Sequence, residues 1–142
     1  MEFFIVSPES PWSKVSQIEK NLKEAQWMVS YLEDNARKIQ MFRPLLLDKA
    51  ALLEECAHHK SLERCCEFIK AAIEYCVKRS IAQLIFQLGS REYPNIDVET
   101  LLSRLHEVFL QAEMLDGRIE RVKSLTTKVR EKTHNYATSV PE

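Results

Sequence analysis

Four cysteines and two histidines fall in one stretch of the chain: Cys56, His58, His59, Cys65, Cys66 and Cys76. Thiolates and imidazoles are the ligands zinc prefers, and a structural zinc site needs four of them converging tetrahedrally. The spacing argues against that use. No CxxC pair occurs, and adjacent histidines on a helix point about 100° apart. Cys65, Cys66 and Cys76 lie on an apolar helical stripe, where cysteine packs as a small hydrophobe. The expectation is free, buried thiols beside a polar helix–helix corner, with no metal and no other cofactor.

The same residues could support nucleophilic catalysis, with a cysteine or serine beside a histidine that a carboxylate orients. No strained elbow or glycine-bearing turn presents such a nucleophile. The carboxylates sit mostly opposite the apolar seams, as solvated charges do. A non-enzymatic protein is expected.

The third constellation is basic. Residues 118–132 carry Arg118, Arg121, Lys123, Lys128, Arg130 and Lys132 against Glu120 and Glu131, a net charge of +4. Cations favour a helix carboxyl terminus. They could also meet an acidic partner or an anionic lipid surface. Over the whole chain 20 basic residues balance 21 acidic ones, net −1. That balance excludes a general nucleic-acid binder, which needs a basic excess.

The elements that position these groups follow from glycine scarcity. Only two glycines, Gly89 and Gly117, occur in 142 residues. Hairpins, bulges and phosphate-cradling loops need glycine's backbone freedom. The chain is therefore all-α. A first helix is expected from Pro11, capped by Ser10, to about Phe42. Its seam is Val15, Ile18, Leu22, Ala25, Val29, Leu32, Ala36 and Ile39, a heptad pattern that needs a partner along its whole length. Pro44 stops or kinks it. A short second helix follows, about Leu45 to Ala57, with Leu46, Ala50, Leu53 and Ala57 on one face.

Ser61 reads as the cap of a third helix, about Leu62 to Leu88. Its seam is Leu62, Cys66, Ile69, Ile73, Val77, Ser80, Leu84 and Leu88. Ile81 to Leu88 is apolar nearly all round and is expected to be the most buried segment. Gly89 suits a left-handed C-cap. Asp97 caps a fourth helix, about Val98 to His134, and 135–142 reads as a polar tail. The expected architecture is one antiparallel bundle of four helices spanning 11–134, behind a head of residues 1–10. The alternative is a three-helix bundle with a kinked first helix. The helix lengths and a tryptophan in the first helix resemble spectrin-type repeats, from which the breaks at Pro44 and Ser61 depart.

The amino terminus lacks the basic start and the long apolar run of a signal peptide, and no stretch approaches a membrane span. With four cysteines in no secreted-framework spacing, the expected setting is a reducing compartment, the cytoplasm or the nucleus.

Function is expected from a mismatch of lengths. The first and fourth helices would span about 48 and 55 Å, and the second only about 20 Å. Part of the long seam would lack a lid. With the first and fourth helices antiparallel, the uncovered residues would be Val15, Ile18 and Leu22, faced by Ile119, Val122 and Val129. Arg118, Arg121 and Lys128 would belong to the rim. Such a groove would bind an acidic amphipathic helix of a partner, or a second copy of the chain. A bundle that binds an anionic membrane surface is the alternative. Trp27, with Phe3 and Phe4 in the head, could also cover a groove or meet a partner.

Overall fold

The computed structural model describes residues 10–40 and 49–139, with the side chains of Ile39 and Gln40 outside the description. Every element it describes is helical. Helix α1 spans Pro11–Gln40 and α2 spans Lys49–Ile73. A π-helical segment, Glu74–Lys78, leads without a break into α3, Arg79–Ser90. After one loop, α4 spans Val98–Ser139. The all-α class is as glycine scarcity dictates.

Local chemistry sets the helix starts. The Ser10 hydroxyl accepts the N–H of Ser13 at 3.1 Å, and the Ser10 carbonyl accepts that of Lys14. Pro11 follows in the first helical position, where its missing N–H costs nothing. The Asp97 carboxylate accepts the N–H of Thr100 at 3.1 Å and its hydroxyl at 2.6 Å. Those Thr100 bonds hold the Asp97 carboxyl below its ordinary range. Pro44 and the head, including Phe3 and Phe4, lie outside the described residues.

Among the described residues the helices form three runs, the count of the three-helix alternative rather than of the four-helix bundle. No boundary falls at Ser61, because α2 continues through His58, His59, Lys60 and Ser61. Nothing in that stretch breaks a helix, since it holds neither glycine nor proline. His59 lies on the seam itself, fully buried with Leu52, Leu62 and Cys66. Of the face expected inside, Ala50, Leu53 and Ala57 are exposed, and Leu46 lies outside the described residues. Gly89 is an ordinary helical residue of α3, no described glycine has a positive φ, and the cap is Arg91 in extended backbone.

An odd number of runs changes the directions. The chain gathers into two compact units, Met1–Ala25 with Ala72–Glu113, and Gln26–Ala71 with Met114–Glu142. In the first, α1 and α3 are antiparallel. Lys14 Nζ donates to Gln87 Oε1 at 2.7 Å, and farther along α1 Asn21 Nδ2 donates to the earlier Cys76 carbonyl at 3.2 Å. α3 and α4 are antiparallel too, since Lys78 pairs with Glu113 while Ile85 faces Leu102. α1 and α4 are therefore parallel, which corrects the expected antiparallel pairing. Arg104 Nε donates to Glu19 across them at 3.0 Å, 85 residues apart. Val15, Ile18, Leu22, Leu84, Leu101 and Leu105 fill this core.

In the second unit α2 runs against α4. Lys70 meets Glu120 at 2.7 Å and Glu67 meets Lys123 at 3.1 Å, while Glu63 meets Arg130. Arg118 Nε reaches Glu33 on α1 at 2.9 Å, again 85 residues apart. Val29, Leu32, Ile69, Leu115, Ile119 and Thr126 are buried here. Thr126 tolerates burial because its hydroxyl donates to the Val122 and Lys123 carbonyls, each at 3.0 Å. The seam continues through buried Thr133 and Ala137, past the expected helix end at His134.

Two substitutions test these seams by urea denaturation. Leu105→Ala should lose about 2–5 kcal/mol. Gly117→Ala should gain up to about 1 kcal/mol. The added Cβ would meet only the Arg121 guanidinium, at an ordinary 3.8 Å.

Candidate functional site

The segment expected to be most buried is not buried all round. Ile81, Leu84 and Leu88 point into the first unit's core, but Ile85 is 46% and Phe86 77% exposed. An all-round apolar helix is buried only when neighbours surround it. Here α1 and α4 cover α3 on two sides and leave the third open.

That open side is a cleft of about 450 Å³ between α3 and α4. On one side it is lined by Lys78, at the end of the π-helical segment, and by Ala82 and Ile85 of α3. Along α4 it is lined by Leu102, His106 and Phe109, with Ile81 and Leu105 at its floor. Both rows advance by alternating steps of four and three, as one face of a helix does. The rows adjoin the core seams, so α3 and α4 each carry a second, unfilled seam. Phe86 and Leu110, each next in sequence to a lining residue, are both exposed. One end is closed, where the Lys78 ammonium pairs with Glu113 at 2.9 Å and sits 5.7 Å from the Phe109 ring centre.

A second cleft in the same unit, of about 250 Å³, separates α1 from α3. Its walls are polar, and much of their hydrogen bonding is internal. Lys14 holds Gln87, and Gln17 donates to Asn21 at 3.0 Å. Asn21 in turn takes the carbonyl that the π-helical turn exposes at Cys76. An ion of the basic stretch lines a third notch, in the second unit, with Arg37, Arg118 and Arg121 near Glu33. The bonds from Arg118 hold the Glu33 carboxyl below its ordinary range, with the Arg37 and Arg121 charges adding to the effect.

The residues expected to form a groove are placed otherwise. Val15, Ile18, Leu22, Ile119 and Val122 are buried and Val129 is half-buried. The first three belong to one unit and the last three to the other. The expected gap required a short second helix. The continuous run from Lys49 to Ser90 removes it, and the seam residues are covered by their own chain. Among the rim cations, Arg118 is bound to Glu33, while Arg121 and Lys128 are exposed. Arg130 and Lys123 are likewise paired, with Glu63 and Glu67.

The thiols are free, but only part of the expected burial holds. Cys66 is buried, and loss of solvent pushes its thiol up to about 11. Cys56 is half-buried and donates to the Arg130 carbonyl at 3.4 Å, and burial raises its thiol as well. Cys65 and Cys76 are exposed. Among the described residues no three His, Cys, Asp or Glu side chains converge as metal ligands would. Trp27 stacks on Tyr31 with ring centres 6.2 Å apart, both exposed on α1.

No helix among the described residues is long and apolar enough to cross a membrane. In comparisons with known proteins, no family model, no curated protein and no solved structure matches this chain.

His59 generates a pH prediction. Burial holds its imidazole below the ordinary range, although the Glu55 carboxylate 3.6 Å away opposes this. The folded state therefore disfavours the proton relative to the unfolded chain. Stability from this group is present above the unfolded pKa, about 6.5, and is lost as the pH falls below it. The lowered carboxyls of Glu33, Glu63 and Glu120 lose their contributions only at lower pH. The melting temperature should fall between pH 7 and pH 5.5, and His59→Leu should flatten that slope.

Proposed function

We propose that this chain is a non-enzymatic interaction module, and that its binding site is the α3/α4 cleft, which receives an amphipathic helix of another protein. The observation that carries this reading is the pair of unfilled heptad rows, Lys78-Ala82-Ile85 and Leu102-His106-Phe109, facing one cleft. Two antiparallel helices with such rows present the holes into which a third helix sets its knobs. Ile85, Leu102 and Phe109 are exposed there, and Phe86 and Leu110 beside them in sequence are exposed too. Contiguous apolar surface of this kind marks interaction sites.

The ligand differs from the one that the basic stretch suggested. The cleft's one cation, Lys78, is already paired with Glu113, so no excess positive charge calls for an acidic helix. An apolar seam supplies the affinity, at roughly 25 cal/mol per Å² removed from water. Four free thiols, two of them exposed, fit a reducing compartment such as the cytoplasm.

Site-specific photocrosslinking tests the proposal. A benzophenone side chain at Phe86 should capture a partner that one at Trp27 does not. With that partner purified, Ile85→Asp should weaken binding at least about tenfold, the loss of one well-placed apolar contact. Ile85 is half-exposed, so the variant should keep its helical circular dichroism. Crosslinks at Trp27 alone, or undiminished binding by Ile85→Asp, would refute the cleft as the site.

A further inference from the structure

The cleft is charged at one end, at Lys78, and otherwise apolar except for His106. His106 lies on α4 and Ala82 on α3, both exposed and both lining the same space. The antiparallel register brings them level. Lys78 reaches Phe109 and Glu113. One turn onward along α3, to Ala82, then corresponds to about one turn back along α4, to the neighbourhood of His106. Alanine is the smallest side chain in the cleft, so the wall opposite the imidazole has a hole.

A helix laid in the cleft would take His106 out of water. In either protonation state an imidazole keeps an N–H donor, and a buried donor without an acceptor is costly. The other lining groups are Ile81, Ala82, Ile85, Leu102, Leu105 and Phe109, which carry no acceptor, and Lys78, which only donates. The bound helix has committed its interior carbonyls to its own ladder. One of its side chains can supply the acceptor, reaching over the small side chain of Ala82.

Resting on the function proposed above, we infer that the cleft selects a helix whose apolar seam is broken once, by a carboxylate or carboxamide side chain that accepts the His106 N–H. A single polar residue within an apolar seam fixes register and partner choice in helical assemblies. Here it would reject helices with an unbroken leucine seam, which would leave the imidazole unpaired.

The test uses the full chain and a displayed library of amphipathic helical peptides, randomised at the seam positions. Selection on the wild-type chain should enrich peptides with Asp, Glu, Asn or Gln at one seam position. Those peptides should bind about tenfold more tightly than their leucine counterparts, the effect of one unsatisfied buried donor. His106→Leu should reverse that preference, and Ile85→Asp should abolish binding of both kinds. Peptides that Ile85→Asp releases but that carry unbroken apolar seams, unaffected by His106→Leu, would overturn this inference and leave the cleft as the site. No peptide released by Ile85→Asp, or no binder at all, would overturn the cleft itself. Sedimentation of the chain alone as a dimer that Ile85→Asp dissociates would make a second copy the occupant, and would overturn the proposal of a foreign helix.

Discussion

The uninterrupted helical run from Lys49 to Ser90 is the constraint on which the rest depends. One run that returns along the chain leaves the first and last helices parallel, whereas two would have made them antiparallel. In each unit the returning run lies against α4, and its apolar seam packs where the sequence had left one uncovered. The driving force is the burial of Val15, Leu22, Leu84 and Leu105 in one unit, and of Leu32, Ile69 and Ile119 in the other. The ion pairs between helices, such as Glu19–Arg104 and Glu33–Arg118, are partly exposed and add little stability each. Their equal spacing along the chain does fix the register of α1 against α4.

The π-helical turn explains why the open surface lies on α3. Buried positions on the run advance from Ile69 to Ile73, Val77 and Ile81 in successive steps of four. An ordinary α-helical seam would have mixed in a step of three and placed Ser80 inside. The wider turn at Glu74–Lys78 absorbs the difference, and Asn21 takes the Cys76 carbonyl there. After the turn the core takes Ile81, Leu84 and Leu88, and the remaining apolar residues, Ile85 and Phe86, face outward. Such turns recur at functional sites, and this one sets the wall of the cleft.

Much of the fold could be read from the sequence. Glycine scarcity gave the class, Ser10-Pro11 and Asp97 gave two helix starts, and heptad spacing gave Leu32, Ile69 and Leu84 as core, all three buried. What failed had a common cause, which is that polarity was taken for exposure. His59 and Thr133 are polar yet sit on seams, so the continuity of α2 and the extent of α4 were hidden. The converse error concealed the site. Ile85 and Phe86 were assigned to the interior because they are apolar, although no sequence rule says how many neighbours a helix has. The signal was present in Lys78-Ala82-Ile85 and Leu102-His106-Phe109, second rows beside the main seams, and it becomes readable once the two helices are known to be adjacent.

Everything above turns on the α3/α4 cleft being open while the apolar seam of α1 is covered. Hydroxyl-radical footprinting of the folded chain, read by peptide mass spectrometry, measures this directly. The account predicts strong oxidation at Phe86, Ile85 and Phe109, with Ile18, Leu22 and Val122 protected until the chain is unfolded. Protection of Phe86 and Ile85 together with oxidation of Ile18 and Leu22 would contradict it.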